Sequence, residues 1–395
     1  MVKKRRLSPK SVWDEAELTA AFRKEGVKEY HVQKIHRYLI LHPEATWHTV
    51  PELSKAALTV LDRDFVRSTS KVEQKQVSSD GTTTKLLVQL QDGMQVEAVV
   101  MTYIKGGSGD EESEDGHAVL GQQRSTLCVS SQVGCQMGCT FCATGTMGLK
   151  GDLTAGEIVE QLVHACRVTT IKNVVYMGMG EPLNNYEQVR TATRTMINPA
   201  LFGLKRSKVT ISTVGIIPRI LQLSEDLPGV SLALSLHAPN QELRQSIVPS
   251  ARAYKLDKLM AAVDKYEHSS GQKIFVEYVM LHKINDSPET AHELGQLLKG
   301  RNMIVNLIPW NPVYSPGMQL EAPGSERVAE FQRIVREHYD IFCTVRQEMG
   351  QDISGACGQL VVEQSQGGCG GTLPQRTGDI EELGQNMRRL TTAVA

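Results

Sequence analysis

Near the N-terminus, apolar residues recur at three- and four-residue steps in DEAELTAAFRKEGV, KEYHVQKIHRYLILH and VPELSKAALTVLDRDFV. That spacing keeps them on one helical face, so about three helices are predicted between Trp13 and Val66. From Lys71 to Met101 the period falls to two. TTTKLLVQLQDGMQVEAVVM then reads as a β-hairpin turning at Asp92-Gly93. The pattern stops in KGGSGDEESEDGHAVLGQQR, which has too little apolar content to build a core and reads as a mobile surface insertion.

After the insertion, short apolar runs alternate with amphipathic ones. Strand-like runs are STLCVSSQV, NVVYMGM, KVTIST, VSLALSLH, KIFVEYVML and MIVNLIPW. Helix-like runs between and after them are AGEIVEQLVHACRV, YEQVRTATRTMI, IPRILQLSED, KLDKLMAAVDKYEH, PETAHELGQLLKG and SERVAEFQRIVREHY. Six βα units in series imply an α/β fold of parallel strands joined by right-handed crossovers. Eight units close a full barrel, so six predict an open partial (βα)6 barrel. DIFCTVRQEM offers one further strand. The expected divisions are a helical accessory domain (1–70), a β-hairpin extension (71–104), an acidic insertion (105–123), the barrel core (124–362) and a C-terminal tail (363–395).

Composition narrows this picture only slightly. Hydrophobic residues at 41% and charged residues at 22% describe an ordinary globular chain. A net charge of -1 means that any surface for a polyanion must be a local patch. No apolar run is long enough to predict a membrane span. MVKKRRLSPKSVWDEAE is basic without an apolar stretch behind it, which argues against a secretory signal, and it turns acidic too soon for a typical transit peptide. A cytoplasmic protein is expected, with an organelle such as a plastid left open.

The chemistry concentrates after the predicted strand ends, which line the mouth of such a barrel. The first strand leads into CVSSQVGCQMGCTFCATG, with Cys135, Cys139 and Cys142 at C-x3-C-x2-C spacing. Three thiolates on one loop suit a four-iron cluster, each fixing one iron and leaving the fourth open to a ligand. A structural zinc site wants a fourth ligand nearby, usually through paired C-x2-C elements; no second pair appears, and the nearest histidines are in separate segments. Zinc and unrelated thiols remain the alternatives. The second strand leads into GMGEP, where Gly178 and Gly180 would let a ligand approach the backbone and Glu181 could accept from an ammonium group. Read singly, Ser212, Ser235, His237 and Asn311 are ordinary strand-end residues.

Together LCVSSQVGCQMGCTFCATG, GMGEPLNNY, ISTVG, LSLHAP, LIPWNP and DISGACGQL resemble the RlmN/Cfr-type RNA adenine methyltransferases, which are radical S-adenosylmethionine (SAM) enzymes. The resemblance covers most of residues 120–362 and, more weakly, the N-terminal helices. It implies a [4Fe-4S] cluster on Cys135, Cys139 and Cys142, with two SAM molecules used per turnover. It implies SAM contacts from Gly180, Glu181, Ser212, Ser235, Leu236, His237 and Asn311. In this family the target is an adenine ring carbon in RNA, an sp2 centre that is not nucleophilic enough for direct methyl transfer. By motif position Cys357 would carry the methyl group as S-methylcysteine, and Cys128 would release the product through a transient disulfide with Cys357. Glu97 matches a proposed proton acceptor, although the insertion sets it further from the cysteine loop than is usual. Cys166 and Cys343 read as core residues and Cys369 as a tail thiol.

The resemblance also implies partners. These are ribosomal RNA and transfer RNA, with an electron-donor protein such as flavodoxin or ferredoxin; the apolar pattern leads to the expectation of no membrane partner, and a monomer would suit a bulky RNA. Candidate phosphate contacts are Leu204–Lys208, Arg244, Arg252 and the KKRR start. C2 of adenine is preferred to C8 as the target, though both chemistries share these motifs. A radical enzyme for a small molecule and a non-catalytic metal-containing RNA binder are the rivals from other classes.

Overall fold

In the computed structural model, which describes Arg5 and residues 7–104, 123–313 and 319–361, ten strands form one sheet whose spatial order follows the chain. The first three are antiparallel: β1 (Lys71–Val77), β2 (Thr83–Gln89) and β3 (Gln95–Ile104). β3 then pairs antiparallel with β4 (Gln123–Cys128). From there every neighbour is parallel, through β5 (Ile171–Tyr176), β6 (Val209–Thr213), β7 (Ser231–Ser235), β8 (Ile274–Met280), β9 (Met303–Pro309) and β10 (Phe342–Val345). The two end strands, β1 and β10, do not pair with each other, so the barrel is open. The parallel part holds the six predicted βα units plus β10, the further strand offered by DIFCTVRQEM.

The extension has three strands where a hairpin was expected. β2 and β3 form the predicted hairpin, closed by Leu90 N–H donating to the Met94 carbonyl at 2.7 Å. Gly93 adopts φ +83° at its tip. β1 escaped the hydrophobic pattern because its residues, KVEQKQV, are almost all exposed on the outer edge of the sheet. An edge strand needs no buried face, and its charges discourage further pairing.

Helices α1 (Glu15–Lys24), α2 (Tyr30–Leu41) and α3 (Lys55–Asp64) are the three predicted N-terminal helices. Their buried residues, Leu18, Phe22, Ile35 and Leu61 among them, belong to the same apolar cluster as the sheet. The crossover helices are α4 (Ala155–Cys166), α5 (Tyr186–Ile197), α6 (Ile217–Asp226), α7 (Gln241–Ile247), α8 (Leu256–Ser270), α9 (Pro288–Leu298) and α10 (Ser325–Arg333). α4 starts where a Thr-x-x-Glu signal tells it to: Thr154 and Glu157 form a reciprocal capping box. Glu157 also receives both guanidinium arms of Arg5, at 2.7 and 2.8 Å, while Arg5 Nε donates to Asp92 at 2.6 Å.

One buried carboxylate joins the N-terminal segment to the barrel. Glu160 on α4 is fully buried and accepts from the Ser11, Ser68 and Ser70 hydroxyls and from the Thr69 and Ser70 amides. With so many donors a buried charge is tolerable. All described residues belong to one compact unit, Met1–Val362. Apart from Gln123, which opens β4, the acidic insertion lies outside the described residues, as do the C-terminal tail and its Cys369. Among the described residues no helix is long and apolar enough to cross a membrane.

Candidate active site

The cysteine loop leaves β4 and folds tightly. Gly134 and Gly138 take φ of +72° and +67°, and a Cβ on Gly134 would sit 1.9 Å from the Gly148 carbonyl oxygen. The loop rests on a second apolar cluster that includes Phe141, Ile247, Val248, Val279, Ile308 and Trp310, with Cys139 and Cys142 packed against it. Trp310 Nε1 donates to the Phe141 carbonyl at 3.1 Å, and Thr140 N–H donates to that of Ile247 at 3.0 Å. The C-terminal segment then clasps the loop from the other side. Ala143 N–H donates to the Gly358 carbonyl at 2.8 Å, and Thr144 Oγ1 to that of Leu360 at 2.6 Å. These bonds bring Cys357 beside the cluster cysteines despite their distance in sequence.

Cys135, Cys139, Cys142 and Cys357 line one cavity. Burial raises the Cys135 thiol to about 12 and the Cys139 thiol well above its ordinary value, and the neighbouring thiols push both further. Sulfurs this buried become stable thiolates only beside concentrated positive charge. Among the described residues, no three His, Cys, Asp or Glu side chains converge where a single ion could sit. Sulfurs that share a cavity without converging on a point fit the corners of a [4Fe-4S] cluster better than a zinc ion.

The loop after β5 forms the facing wall. Gly180 adopts φ +100°, and a Cβ there would lie 2.6 Å from Cβ of Gln132; one on Gly178 would lie 2.7 Å from the Val129 carbonyl oxygen. Glu181 accepts from Leu183 N–H at 3.0 Å through one oxygen and from Val214 N–H at 2.9 Å through the other. Burial nevertheless lifts its pKa to about 7. Glu181 also lines the cavity, so the carboxylate both ties two loops together and can receive a ligand ammonium. Ser212 and Ser235 meet hydroxyl to hydroxyl at 3.2 Å on adjacent strands, and both line the cavity.

His237 also lines it, at the strained φ of +61°. Val279 N–H donates to its Nδ1 at 3.0 Å, which assigns the proton of the neutral ring to Nε2. Burial, assisted by Arg244, pushes its pKa down to about 3. Asn285 holds this arrangement by donating to the carbonyls of His237 and Val279 at 2.8 and 2.7 Å.

Other expected residues lie off the cavity wall. Leu236 is buried in the core, with its amide on the Glu277 carbonyl at 3.1 Å. Asn311 donates to the Cys357 carbonyl at 3.0 Å and accepts from Gln351 at 2.8 Å, so it steadies the segment that carries Cys357. Glu97 pairs with Lys85 at 3.0 Å and accepts from Val361 N–H at 2.9 Å. Cys128 ends β4 and is 8% exposed; burial raises its thiol to about 12, with a further push from the nearby Cys357. The Arg346 guanidinium works the other way on both thiols. The seven described cysteines are all free.

Two expectations are corrected. Arg244 is no phosphate contact: it is 1% exposed and donates only to the carbonyls of Leu236, Val214 and Ser235, which lock the loops after β6 and β7 together. Cys166 is exposed at the end of α4, not in the core, whereas Cys343 is buried as expected. Lys205, Arg206, Lys208 and Arg252 are exposed; of the KKRR start only Arg5 is described, and it is occupied by Asp92 and Glu157. Sequence reasoning missed Gln132, Asn285, Arg346 and Glu277. Only Glu277 left a signal, as a charge inside the apolar run KIFVEYVML.

Comparison with known proteins places this site in a family. Residues 129–294 match the model of the radical SAM superfamily. Ribosomal RNA large subunit methyltransferase N of Nitrosopumilus maritimus is 40% identical over 317 residues, 79% of this chain and 86% of its own. The dual-specificity RNA methyltransferase RlmN of Alcanivorax borkumensis is 39% identical over 348 residues, 85% of each chain. The chain belongs to the RlmN family of radical SAM RNA methyltransferases. A crystal structure of a radical SAM methyltransferase from Sphaerobacter thermophilus superposes with a TM-score of 0.78 at 37% identity, covering 89% of this chain and 99% of that one. Within the RlmN family, the open α/β barrel and the cysteine loop acquire their function: the fold presents a cluster and SAM to a methyl acceptor.

Proposed function

We propose that this chain methylates C2 of an adenine in ribosomal RNA and in transfer RNA, with Cys357 as the methyl carrier and two SAM molecules consumed per turnover. The single observation that supports this most strongly is the placement of Cys357 on the same cavity wall as Cys135, Cys139 and Cys142. When bound, the cluster and SAM supply one-electron chemistry able to activate an otherwise inert C–H bond. The protein's own groups then have separable tasks. Glu181, Ser212, Ser235 and His237 hold the cofactor by hydrogen bonding, and the flanking glycines let it approach the backbone.

Cys357 takes the methyl group on sulfur and delivers its carbon to the base. Cys128, buried behind it, is the thiol that frees the product by attacking the Cys357 sulfur. The disulfide forms as the Cys357 S–C bond breaks, the carbon leaves on the base as its methyl group after taking up a proton, and Arg346 favours the attacking thiolate. A flavodoxin- or ferredoxin-type protein serves as electron donor, and the enzyme acts as a monomer in the cytoplasm or in an organelle.

The test is nucleoside analysis of RNA from a strain lacking the endogenous activity, complemented with this chain. 2-Methyladenosine that vanishes with Cys357→Ala supports the proposal. 8-Methyladenosine, or product from the Cys357→Ala variant, contradicts it.

A further inference from the structure

Beneath the cluster cavity the barrel holds a second, open compartment. It is lined by residues along the inner faces of the strands, Thr126 of β4, Asn173 of β5 and Thr210 of β6 among others. The two compartments share Met177 and Glu277, which therefore form the boundary between them. Their chemistry differs. The upper wall carries thiols, glycines and the groups that suit SAM. The lower one carries three cations, Arg124, Lys208 and Arg346, and one carboxylate, that of Glu277.

Glu277 is 5% exposed and half satisfied. Oε1 accepts from Asn306 Nδ2 at 2.9 Å, and Asn306 is itself oriented by Thr344, whose hydroxyl donates to Asn306 Oδ1 at 2.7 Å. Oε2 is buried and has no hydrogen-bond partner. The nearest cation, Arg346 Nη1, stays 4.0 Å away and donates instead to Met177 Sδ, a weak acceptor, at 3.7 Å. A buried carboxylate oxygen without a donor is costly, and this one stands on the boundary between two cavities, held by partners that fix its direction. Cys357 lies on the upper side of that boundary, lining the same cavity as Glu277.

We propose that the target nucleotide enters through the lower compartment and that Glu277 Oε2 reads its base by accepting a hydrogen bond from the exocyclic amine of adenine. This rests on the RNA-methylation reading above and adds the group that selects the base. The cations of the lower compartment suit the nucleotide's phosphates. The carboxylate suits adenine in particular, because guanine places a carbonyl oxygen where adenine has its amine and would set lone pair against lone pair. A site built to accept from an amine rejects an analogue without one, because its own buried group is then left unpaired.

The experiment compares the anaerobically purified enzyme with its Glu277→Gln variant on RNA bearing either adenosine or purine riboside, which lacks the amine, at the target position. Single-turnover RNA methylation and methylation of Cys357 are read separately. The wild type should act on purine riboside ~10- to 100-fold more slowly than on adenosine, the usual worth of one hydrogen bond to a buried charge. Glu277→Gln should lose a similar factor on adenosine, discriminate little between the two substrates, and still acquire its methyl on Cys357. A wild type that uses both substrates equally overturns the proposal whatever the variant does. So does a variant that keeps the wild-type ratio, or one that folds but no longer methylates Cys357, which would assign Glu277 to SAM. A wild type inactive on both RNAs defeats the functional reading itself.

Discussion

Arg244 looks in sequence like any basic residue on a polar helix, and in the structure it is a strut. Its guanidinium, held down to about 10 by burial, reaches one carbonyl in the loop after β6 and two at the end of β7 where Ser235 and His237 are presented. Lysine has a single point of donation and cannot span them. Arg244→Lys should therefore lower stability by about 2–4 kcal/mol and weaken SAM binding. Thermal denaturation and SAM titration check this together; an unchanged midpoint and unchanged affinity would show that the fork is dispensable. The contrast with Cys135, Cys139 and Cys142 explains what was legible at this scale. Spacing along the chain reveals ligands on one loop, but it says nothing about whether an arginine faces water or carbonyls. Glu277 shows the same limit from the other side, because a charge in an apolar strand announces burial without naming its partner.

The elements followed the periodicity closely wherever a buried face existed, as in α1, α4 and β5 to β9, and failed at β1, whose residues face solvent. Caps refine the ends. Asp14 caps α1 by accepting from Glu17 N–H, yet it is only 8% exposed, and burial raises its carboxyl to about 6. A carboxyl that holds its proton more tightly when folded destabilises the fold once it ionises. Stability should thus fall as pH rises from the ordinary carboxylate range, near 4, through about 6. Asn caps equally well without a charge. Asp14→Asn should match the wild type near pH 4 and exceed it at pH 7 by on the order of 2 kcal/mol, as read from denaturant unfolding. Parallel stability curves over that range would contradict this assignment.

For the molecule as a whole, the antiparallel extension supports the far end of the chain. Ser79 N–H donates to Asp352 at 2.8 Å, Lys85 reaches toward the Ser354 carbonyl, and Glu97 accepts from Val361 N–H. These contacts bracket Cys357, a long-range arrangement that no local pattern encodes. Glu97 therefore has the geometry of a positioning residue. Glu97→Gln should slow methylation of Cys357 and methyl transfer to RNA by similar factors, because both need the segment in place. A proton acceptor would affect transfer alone, and a rate profile with loading intact would restore that role.

The placement of Cys357 beside the three cluster cysteines is the centre of the account, so its chemical state is the first thing to measure. Peptide mass spectrometry on protein purified without oxygen from iron-replete cells should find one added methyl on the Cys357 peptide and none on that of Cys128. An unmodified Cys357 in protein with an intact cluster and ample SAM would contradict the methyl-carrier mechanism.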